Sequence, residues 1–269
     1  MRNVFFALVL GILLWSCNEK FLDTQGNIAY SRGGQPCETE LKNHWLMDIE
    51  ASNAKDSVYL NTLQIGRKIE VHRLQLDSSS SLYMLLTQTC EGDSLKLKLT
   101  AKEFYTSMKG IVPAHLRGND QITVHIWMRD KLTDVEHISY KKVYEKDLIG
   151  GYIENLRWNG TSDSSTGIVY EILKKDSGPQ PIKKAKVKYI IKSLNEQLIA
   201  SSHGDRLLVF DVNDKGVLGG IRFLVSKLGL GESARAVVPS GMAYGADGNT
   251  RLPGYMPILL EIEIIEILE

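Results

Sequence analysis

The sequence predicts an α+β protein in which short strands alternate with a few short helices. Alternating apolar and polar residues predict strands, for example over residues 68–76 and 257–268. Apolar residues at helical spacing predict short helices over residues 81–89 and 219–230. The same order of elements occurs in both halves of the chain, which indicates that one folded unit is present twice.

A degenerate internal repeat supports this duplication. Residues 82–105 and 222–244 share one apolar pattern, and each stretch ends in a tyrosine that precedes a proline-containing loop and a further strand. The corresponding positions are Gly92 and Gly231, Asp93 and Glu232, Ser94 and Ser233, and Tyr105 and Tyr244. No hairpin or pocket wall is recognisable ahead of Tyr105. We therefore expect this tyrosine to be structural and the first copy to be degenerate.

The composition is that of a folded protein with no excess of either charge. Of the 269 residues, 43% are hydrophobic and 24% are charged, which is typical of a globular chain with a packed core. Lys and Arg together number 32, as do Asp and Glu, so we expect no nucleic-acid partner. The pattern predicts a flexible tether over 18–43, a first folded copy over 44–131, a helical linker over 132–165 and a second copy over 166–269.

The amino-terminal segment has the features of a bacterial lipoprotein signal. An apolar run from Val4 to Trp15 follows the positive Arg2, and it is shorter than the roughly 20 residues that span a bilayer. The run ends in Leu-Trp-Ser-Cys, which resembles a lipobox. We therefore predict that the signal peptide, residues 1–17, ends at a lipidated Cys17 that anchors the protein in the bacterial cell envelope, facing the periplasm or the cell surface. An ordinary signal peptide or a buried apolar segment is the alternative.

Sequence motifs for nucleophilic, redox or nucleotide chemistry are absent. The chain contains no CxxC, HExxH, GxSxG, P-loop or GxGxxG pattern, so we expect neither a metal nor a cofactor. Cys37 and Cys90 could pair in an oxidising compartment, although their spacing does not require it.

The second half of the chain resembles the FKBP-type peptidyl-prolyl cis-trans isomerases. The resemblance covers about residues 166–269 and rests on three stretches in the family's order: VKYIIKSLNEQLIASS (187–202), VLGGIRFLVSKLGLGESARAVVPSGMAYG (217–245) and ILLEIEII (258–265). It implies an antiparallel sheet wrapped around one short helix at about Leu218 to Leu228, and the repeat implies two tandem copies of that fold. It also implies an enzyme, a rotamase acting on X–Pro bonds of polypeptides.

The resemblance implies catalytic roles for two tyrosines and binding roles for a set of apolar residues. Tyr244 corresponds to the tyrosine whose hydroxyl points to the substrate carbonyl, and Tyr189 corresponds to a tyrosine that lines the pocket. The substrate-binding positions are Val217, Leu218, Ile221, Phe210, Ile199, Leu208, Leu252 and Leu260. Each of these side chains could also be an ordinary core residue.

The sequence departs from the family at several pocket positions. Ile199 and Ala200 stand where the family has Phe and Asp, Ile221 replaces a Trp, and Leu208 and Leu260 replace Phe residues. We therefore expect a wide aliphatic pocket and slow catalysis.

An apolar pocket with one hydroxyl donor suffices for this reaction. Rotation about an X–Pro bond breaks amide resonance, a barrier of roughly 18–20 kcal/mol, and a dry pocket favours the twisted amide over the planar, hydrated one. We expect a lipid-anchored isomerase that assists the folding of exported, proline-containing polypeptides. Two alternatives stay open: a chaperone or protein-binding module whose pocket no longer supports turnover, and a structural lipoprotein of the envelope.

Overall fold

The computed structural model describes residues 20–22, 28–31, 42–55, 57–65, 67–156, 158–176, 178–202 and 206–268. The predicted signal peptide with Cys17 lies outside the described residues, as does Cys37. Cys90 takes part in a disulfide. The chain divides into two compact units, residues 1–137 and 138–269. Within the described part of the chain, no helix has both the length and the apolar character needed to cross a membrane.

The first unit is built on an antiparallel sheet. Its strands are β1 (Lys20–Leu22), β2 (Ile28–Ser31), β3 (His44–Asn53), β4 (Val58–Asn61), β5 (Ile69–His72), β6 (Ser94–Thr100) and β7 (Gln121–Leu132). They lie in the order β1-β2-β6-β7-β3-β4, and β5 also pairs with β3. The helices that accompany them are α1 (Thr62–Ile65), α2 (Ser81–Gln88) and α3 (Ala101–Ser107), and α4 (Asp134–Asn155) follows β7.

The second unit repeats this topology. Its elements are β8 (Thr161–Ser162), β9 (Val169–Lys174), β10 (Lys184–Ser193), β11 (Leu198–Ser201), β12 (Leu208–Asp211), α5 (Gly219–Val225), β13 (Ser233–Val238) and β14 (Ile258–Leu268). The strands lie in the order β11-β10-β14-β13-β9-β8, and β12 also pairs with β10. This is the order β4-β3-β7-β6-β2-β1 of the first unit, strand for strand, with β12 in the place of β5. The predicted α+β class and the predicted duplication are therefore confirmed.

The glycine–acid–serine turn makes the same hydrogen bond in both units. Gly92 and Gly231 have φ angles of 84° and 73°, which glycine adopts without strain. The acids that follow, Asp93 and Glu232, are buried. Each carboxylate accepts a hydrogen bond from the backbone N–H three residues before it, at 2.7 Å in both units. This shared bond explains why an acid occupies the turn in each copy, because a buried N–H without a partner is costly.

Two predictions about the first copy are wrong. Residues 20–22 and 28–31 belong to the segment predicted as a tether, yet they form β1 and β2, and β2 pairs with β6. These strands are too short for their apolar alternation to be recognised. The first copy also has a hairpin ahead of Tyr105, formed by β3 and β4, although its residues do not resemble the hairpin of the second copy.

Some predicted elements end earlier than expected. The strand predicted over 68–76 ends at His72, because the His72 side chain accepts a hydrogen bond from the Leu74 N–H and caps a 3₁₀ turn. Helix α5 ends at Val225 instead of near Leu228. The chain beyond it tightens into a 3₁₀-like turn, in which the Lys227 N–H donates to a carbonyl three residues back. The segment predicted as a helical linker contains α4 and β8.

The core of the second unit lies between α5 and its sheet. Leu224 of α5 and Leu260 of β14 are fully buried and belong to one apolar cluster. The predicted alternation along β14 is confirmed, because Leu260, Ile262 and Ile264 are at most 3% exposed. The helix approaches the sheet closely at Gly220, where a Cβ atom would lie 2.7 Å from a methyl group of Val238. A larger residue at Gly220 would push α5 away from the sheet.

Candidate functional site

A cleft of about 490 Å³ opens in the second unit, between the β10–β11 hairpin and the loop of residues 243–257. The hairpin contributes an apolar wall and the loop contributes a polar one. Its lining residues are Leu198, Ile199, Ala200, Ser201, Tyr244, Asn249, Thr250 and Arg251.

Tyr244 places a hydroxyl donor in this cleft. It follows the 3₁₀ turn Ser240–Met242 and is half-buried. Burial, and to a smaller extent the neighbouring Tyr189, raises the pKa of Tyr244, so its hydroxyl stays protonated at neutral pH. Among the described residues, none accepts or donates a hydrogen bond at this hydroxyl. The Tyr244 O–H is therefore available to an incoming acceptor.

The loop of residues 243–257 is held in one compact shape by its own backbone. At Gly254 a Cβ atom would lie 1.7 Å from the Ala246 carbonyl oxygen. The two halves of the loop therefore make backbone contact at a position where only glycine fits. Asn249 Oδ1 accepts hydrogen bonds from the N–H groups of Arg251 and Leu252, both at 2.8 Å. Arg251 in turn donates to the Ile199 carbonyl at 3.0 Å. These contacts fix the distance between the loop and the hairpin, and so the width of the cleft.

Glu145 of α4 stabilises the turn that carries Tyr244. Its carboxylate accepts a hydrogen bond from the Ser240 N–H and a second from the Ser240 hydroxyl at 2.9 Å. The Gly245 N–H donates to the Ser240 carbonyl at 2.8 Å, so Ser240 is bonded on both sides. Sequence reasoning missed Glu145, because nothing in the pattern of α4 distinguishes this acid from the other charged residues of that helix.

Most of the predicted binding residues lie in the core next to the cleft. The buried ones, each at most 4% exposed, are Ile199, Phe210, Ile221, Leu252 and Leu260. The half-buried ones that pack on the same cluster are Tyr189, Leu208, Val217 and Leu218. Of the predicted set, Ile199 and Tyr244 line the open cleft. Sequence reasoning missed Leu198 and Ser201 of β11 and Asn249 and Thr250 of the loop, because neither a four-residue strand nor a polar loop has a pattern that indicates which side chains border a cleft.

The segment just ahead of α5 is fixed by a side chain of the helix itself. Arg222 donates a hydrogen bond from Nε to the Val217 carbonyl at 3.2 Å. The Ile221 N–H donates to the Leu218 carbonyl at 3.1 Å, which starts the helix. The backbone of Val217 and Leu218 is therefore fixed, and both side chains pack on the same apolar cluster as Tyr189 and Tyr244.

The first unit has different residues at the equivalent positions. Thr62 Oγ1 accepts from the Ile49 N–H as Ser202 Oγ accepts from the Tyr189 N–H, which aligns the two hairpins. With this alignment Tyr59 takes the position of Ile199. Its ring lies edge-on to His115, 5.5 Å away. Burial, followed by the neighbouring Tyr105, raises the pKa of Tyr59. An aromatic ring thus stands beside Tyr105 where the second unit has an aliphatic wall.

The second unit therefore combines an antiparallel sheet packed on one short helix with a cleft that has one apolar wall. At this cleft the Tyr244 hydroxyl has no hydrogen-bond partner among the described residues. Residues 175–265 match the family model of FKBP-type peptidyl-prolyl cis-trans isomerase. This part of the chain belongs to that family, and its enzyme class is peptidyl-prolyl cis-trans isomerase.

Solved structures similar to parts of the chain were also found. An isomerase of Pseudomonas syringae pv. tomato is 22% identical, over 49% of this chain and 96% of its own, with a TM-score of 0.42. The three FKBP domains of wheat FKBP73 are 14% identical, over 91% of this chain and 96% of theirs, with a TM-score of 0.36. FkpA from Escherichia coli is 18% identical, over 52% of this chain and 75% of its own, with a TM-score of 0.40. No curated protein sequence matches the chain.

Proposed function

We propose that the second unit isomerises X–Pro bonds slowly and assists the folding of exported polypeptides, while Cys17 anchors the chain to the bacterial cell envelope through lipid. The observation that carries the catalytic part is Tyr244, which is half-buried beside the apolar wall of the cleft and whose hydroxyl has no partner among the described residues.

The cleft would act on the amide by holding its carbonyl and excluding water. A proline ring in the cleft contacts the aliphatic wall at Leu198 and Ile199, and the preceding carbonyl accepts a hydrogen bond from Tyr244. Such a site stabilises the twisted amide, which has lost its resonance, more than the planar ground state. No nucleophile takes part. Tyr189 and the fixed backbone of Val217 and Leu218 would orient the substrate on either side of the bond.

We expect reduced activity because of what the cleft lacks. Ala200 lines it where the family has an acid, and no carboxylate is among the residues that line the cleft, so none would orient the substrate or the tyrosine. Ile221 and Leu260 are 3% and 0% exposed, so a proline ring must displace packed side chains to enter deeper. Opening a packed core has a free-energy cost in each binding event, which lowers the rate.

The anchoring and folding roles rest on the amino-terminal sequence. The apolar run before Cys17 is typical of export, and a lipid on this residue would hold the chain at a membrane. An isomerase held there would meet polypeptides as they emerge unfolded, when their X–Pro bonds are still a mixture of cis and trans isomers.

A chaperone or binding module on the same fold is the second candidate. The observation that favours it is again Ala200 in the cleft lining, together with the burial of Ile221 and Leu260. Such a cleft would bind a proline-containing segment at its rim without twisting the amide.

The full chain, purified in detergent, allows both candidates to be tested. The exchange rate of an Xaa-Pro peptide is measured by NMR, and suppression of aggregation is measured with an unfolded client. We expect a weak but saturable isomerase rate, which Ala200→Asp increases. Ala246→Asp, in the exposed part of the loop and outside the cleft, is the matched control. A chain that suppresses aggregation but never accelerates exchange would establish the binding module instead.

A further inference from the structure

Three of the six histidines of the chain meet two carboxylates at one end of the first unit's sheet. His44 is the first residue of β3 and lies opposite His72, the last residue of β5, in the strand register. Glu70 is also in β5, and Asp134 and His137 lie in the first turn of α4. Because the five residues come from three separate segments, no sequence spacing reveals them.

A capping box fixes the start of α4 at this place. The Thr133 N–H donates to the Glu136 carboxylate at 2.8 Å, and the Glu136 N–H donates back to Thr133 Oγ1 at 3.3 Å. This arrangement defines the first turn of a helix. Residues three apart on a helix lie on the same side, so Asp134 and His137 face the strands together.

The side chains of this cluster are already in contact. His137 Nε2 lies 2.5 Å from Glu70 Oε1, and His44 Nε2 lies 3.1 Å from Asp134 Oδ1. One ligand atom from each of His44, Glu70 and His137 lies within 4.8 Å of the other two. Ligand atoms bound at about 2.0–2.2 Å around a tetrahedral ion are roughly 3.4 Å apart. Movements of about an ångström would therefore bring these atoms to metal-binding distances.

The three proposed ligands are largely shielded from solvent, and the cluster is open on one side. The side chains of His44 and His137 are 15% and 12% exposed, and that of Glu70 is 33% exposed. Asp134 is 71% exposed, so the cluster is open to solvent on that side. An ion could enter there and keep one position for water or for the Asp134 carboxylate.

His72 has a different part in the cluster. Its Nδ1 accepts the Leu74 N–H at 3.2 Å, which fixes the orientation of the ring. The His72 ring packs edge-on against His44 with ring centres 4.7 Å apart. His72 therefore supports the His44 ring, and its Nδ1 already has a backbone partner.

We propose that His44, Glu70 and His137 bind a divalent transition-metal ion, for which Zn²⁺ is the best match, with Asp134 or water completing the coordination. Two imidazoles and one carboxylate are typical zinc ligands with an open position. Mg²⁺ and Ca²⁺ prefer sites made of oxygen atoms alone. The proposal concerns the first unit and does not depend on isomerase activity.

Binding requires one rearrangement that can be observed. The rings of His44 and His137 are stacked 3.7 Å apart at an angle of 7°. Because a metal lies near the plane of each imidazole that binds it, two parallel stacked rings cannot share one ion. One ring must turn on binding, and the hydrogen bond between His137 and Glu70 must open.

The experiment uses the full chain without a polyhistidine tag, treated with a chelator and then titrated with Zn²⁺ in a calorimeter. We expect one Zn²⁺ per chain. His137→Ala should weaken binding by more than about 100-fold, because loss of a supporting residue alone costs 10–100-fold at metal sites. His115→Ala, an exposed histidine of the same unit, is the control and should leave affinity unchanged. The visible spectrum of the Glu70→Gln variant loaded with Co²⁺ should be shifted relative to that of the wild type loaded with Co²⁺.

His137→Gln is a second variant that keeps the test valid if His137→Ala does not fold, because glutamine can keep a hydrogen bond to Glu70. We expect it to unfold at the same urea concentration as the wild type without metal, and to lose Zn²⁺ binding. NMR signals of the His44 and His137 rings should move on Zn²⁺ addition. A wild-type chain that binds no Zn²⁺, or a His137→Gln variant that binds it as tightly, would overturn the proposal.

Discussion

Replacing Tyr244 with Phe should slow isomerisation without weakening the fold. The change removes one hydroxyl that has no hydrogen-bond partner among the described residues and keeps the ring that packs on the core. The free energy of unfolding should therefore stay within about 0.5 kcal/mol of the wild type. The transition state loses one neutral hydrogen bond, about 0.5–1.5 kcal/mol. That loss corresponds to a roughly two- to twelvefold fall in kcat/KM.

The assay is NMR exchange on an Xaa-Pro peptide, with urea unfolding measured on the same preparations. Tyr255→Phe is the matched control, because Tyr255 lies in the same loop but does not line the cleft. Its rate should equal that of the wild type. If Tyr244→Phe is as active as Tyr255→Phe, the hydroxyl does not touch the substrate carbonyl. If Tyr244→Phe instead loses several kcal/mol of stability, the tyrosine is a structural residue and the proposed role is wrong.

Three further predictions concern stability, pH and location. Glu145→Ala removes the acceptor of two hydrogen bonds from Ser240 and should lower the free energy of unfolding by about 1–3 kcal/mol. The control is Glu154→Ala, because Glu154 is exposed on the same helix, and it should leave the free energy of unfolding unchanged. Equal urea midpoints for the two variants would contradict this prediction. Burial lowers the pKa of Lys131 from 10.5 to about 8. Between these values the unfolded chain binds more protons than the folded one, so stability should rise with pH there, and Lys131→Met should flatten that rise in urea unfolding at pH 8, 9 and 10. Cys17→Ala should abolish labelling by radioactive palmitate and release the protein from the membrane fraction; persistent labelling would refute the lipid anchor.

The parts of the fold that could be predicted are those with a strong local signal. The alternation of β14 is long and regular, and the structure buries the expected face. The repeat was visible because Gly92 and Gly231 need positive φ and the following acids need a backbone partner. Strand β2 has four residues, too few to define a period. Its position is set by pairing with β6, which is a contact between distant parts of the sequence.

The candidate site shows the same limit. Tyr244 could be predicted because a family pattern surrounds it. Which side chains line the open cleft depends on how deeply each one is buried, and the sequence does not contain that information. For example, Ile199 lines the cleft, whereas other side chains cover Leu260. Glu145 and the cluster of His44, Glu70 and His137 depend on tertiary contacts between segments with no common motif. Residues of this kind require a structure.

In both units the strand that comes last in sequence lies in the middle of the sheet. β7 lies between β6 and β3, and β14 lies between β13 and β10. Until β14 is in place, β10 and β13 have no shared neighbour, and the half-sheets on either side have no connection through hydrogen bonds. During synthesis each unit must therefore wait for its final strand before its sheet can close. The last strand of the first unit is complete once Leu132 has been synthesised, before the ribosome has made the second unit.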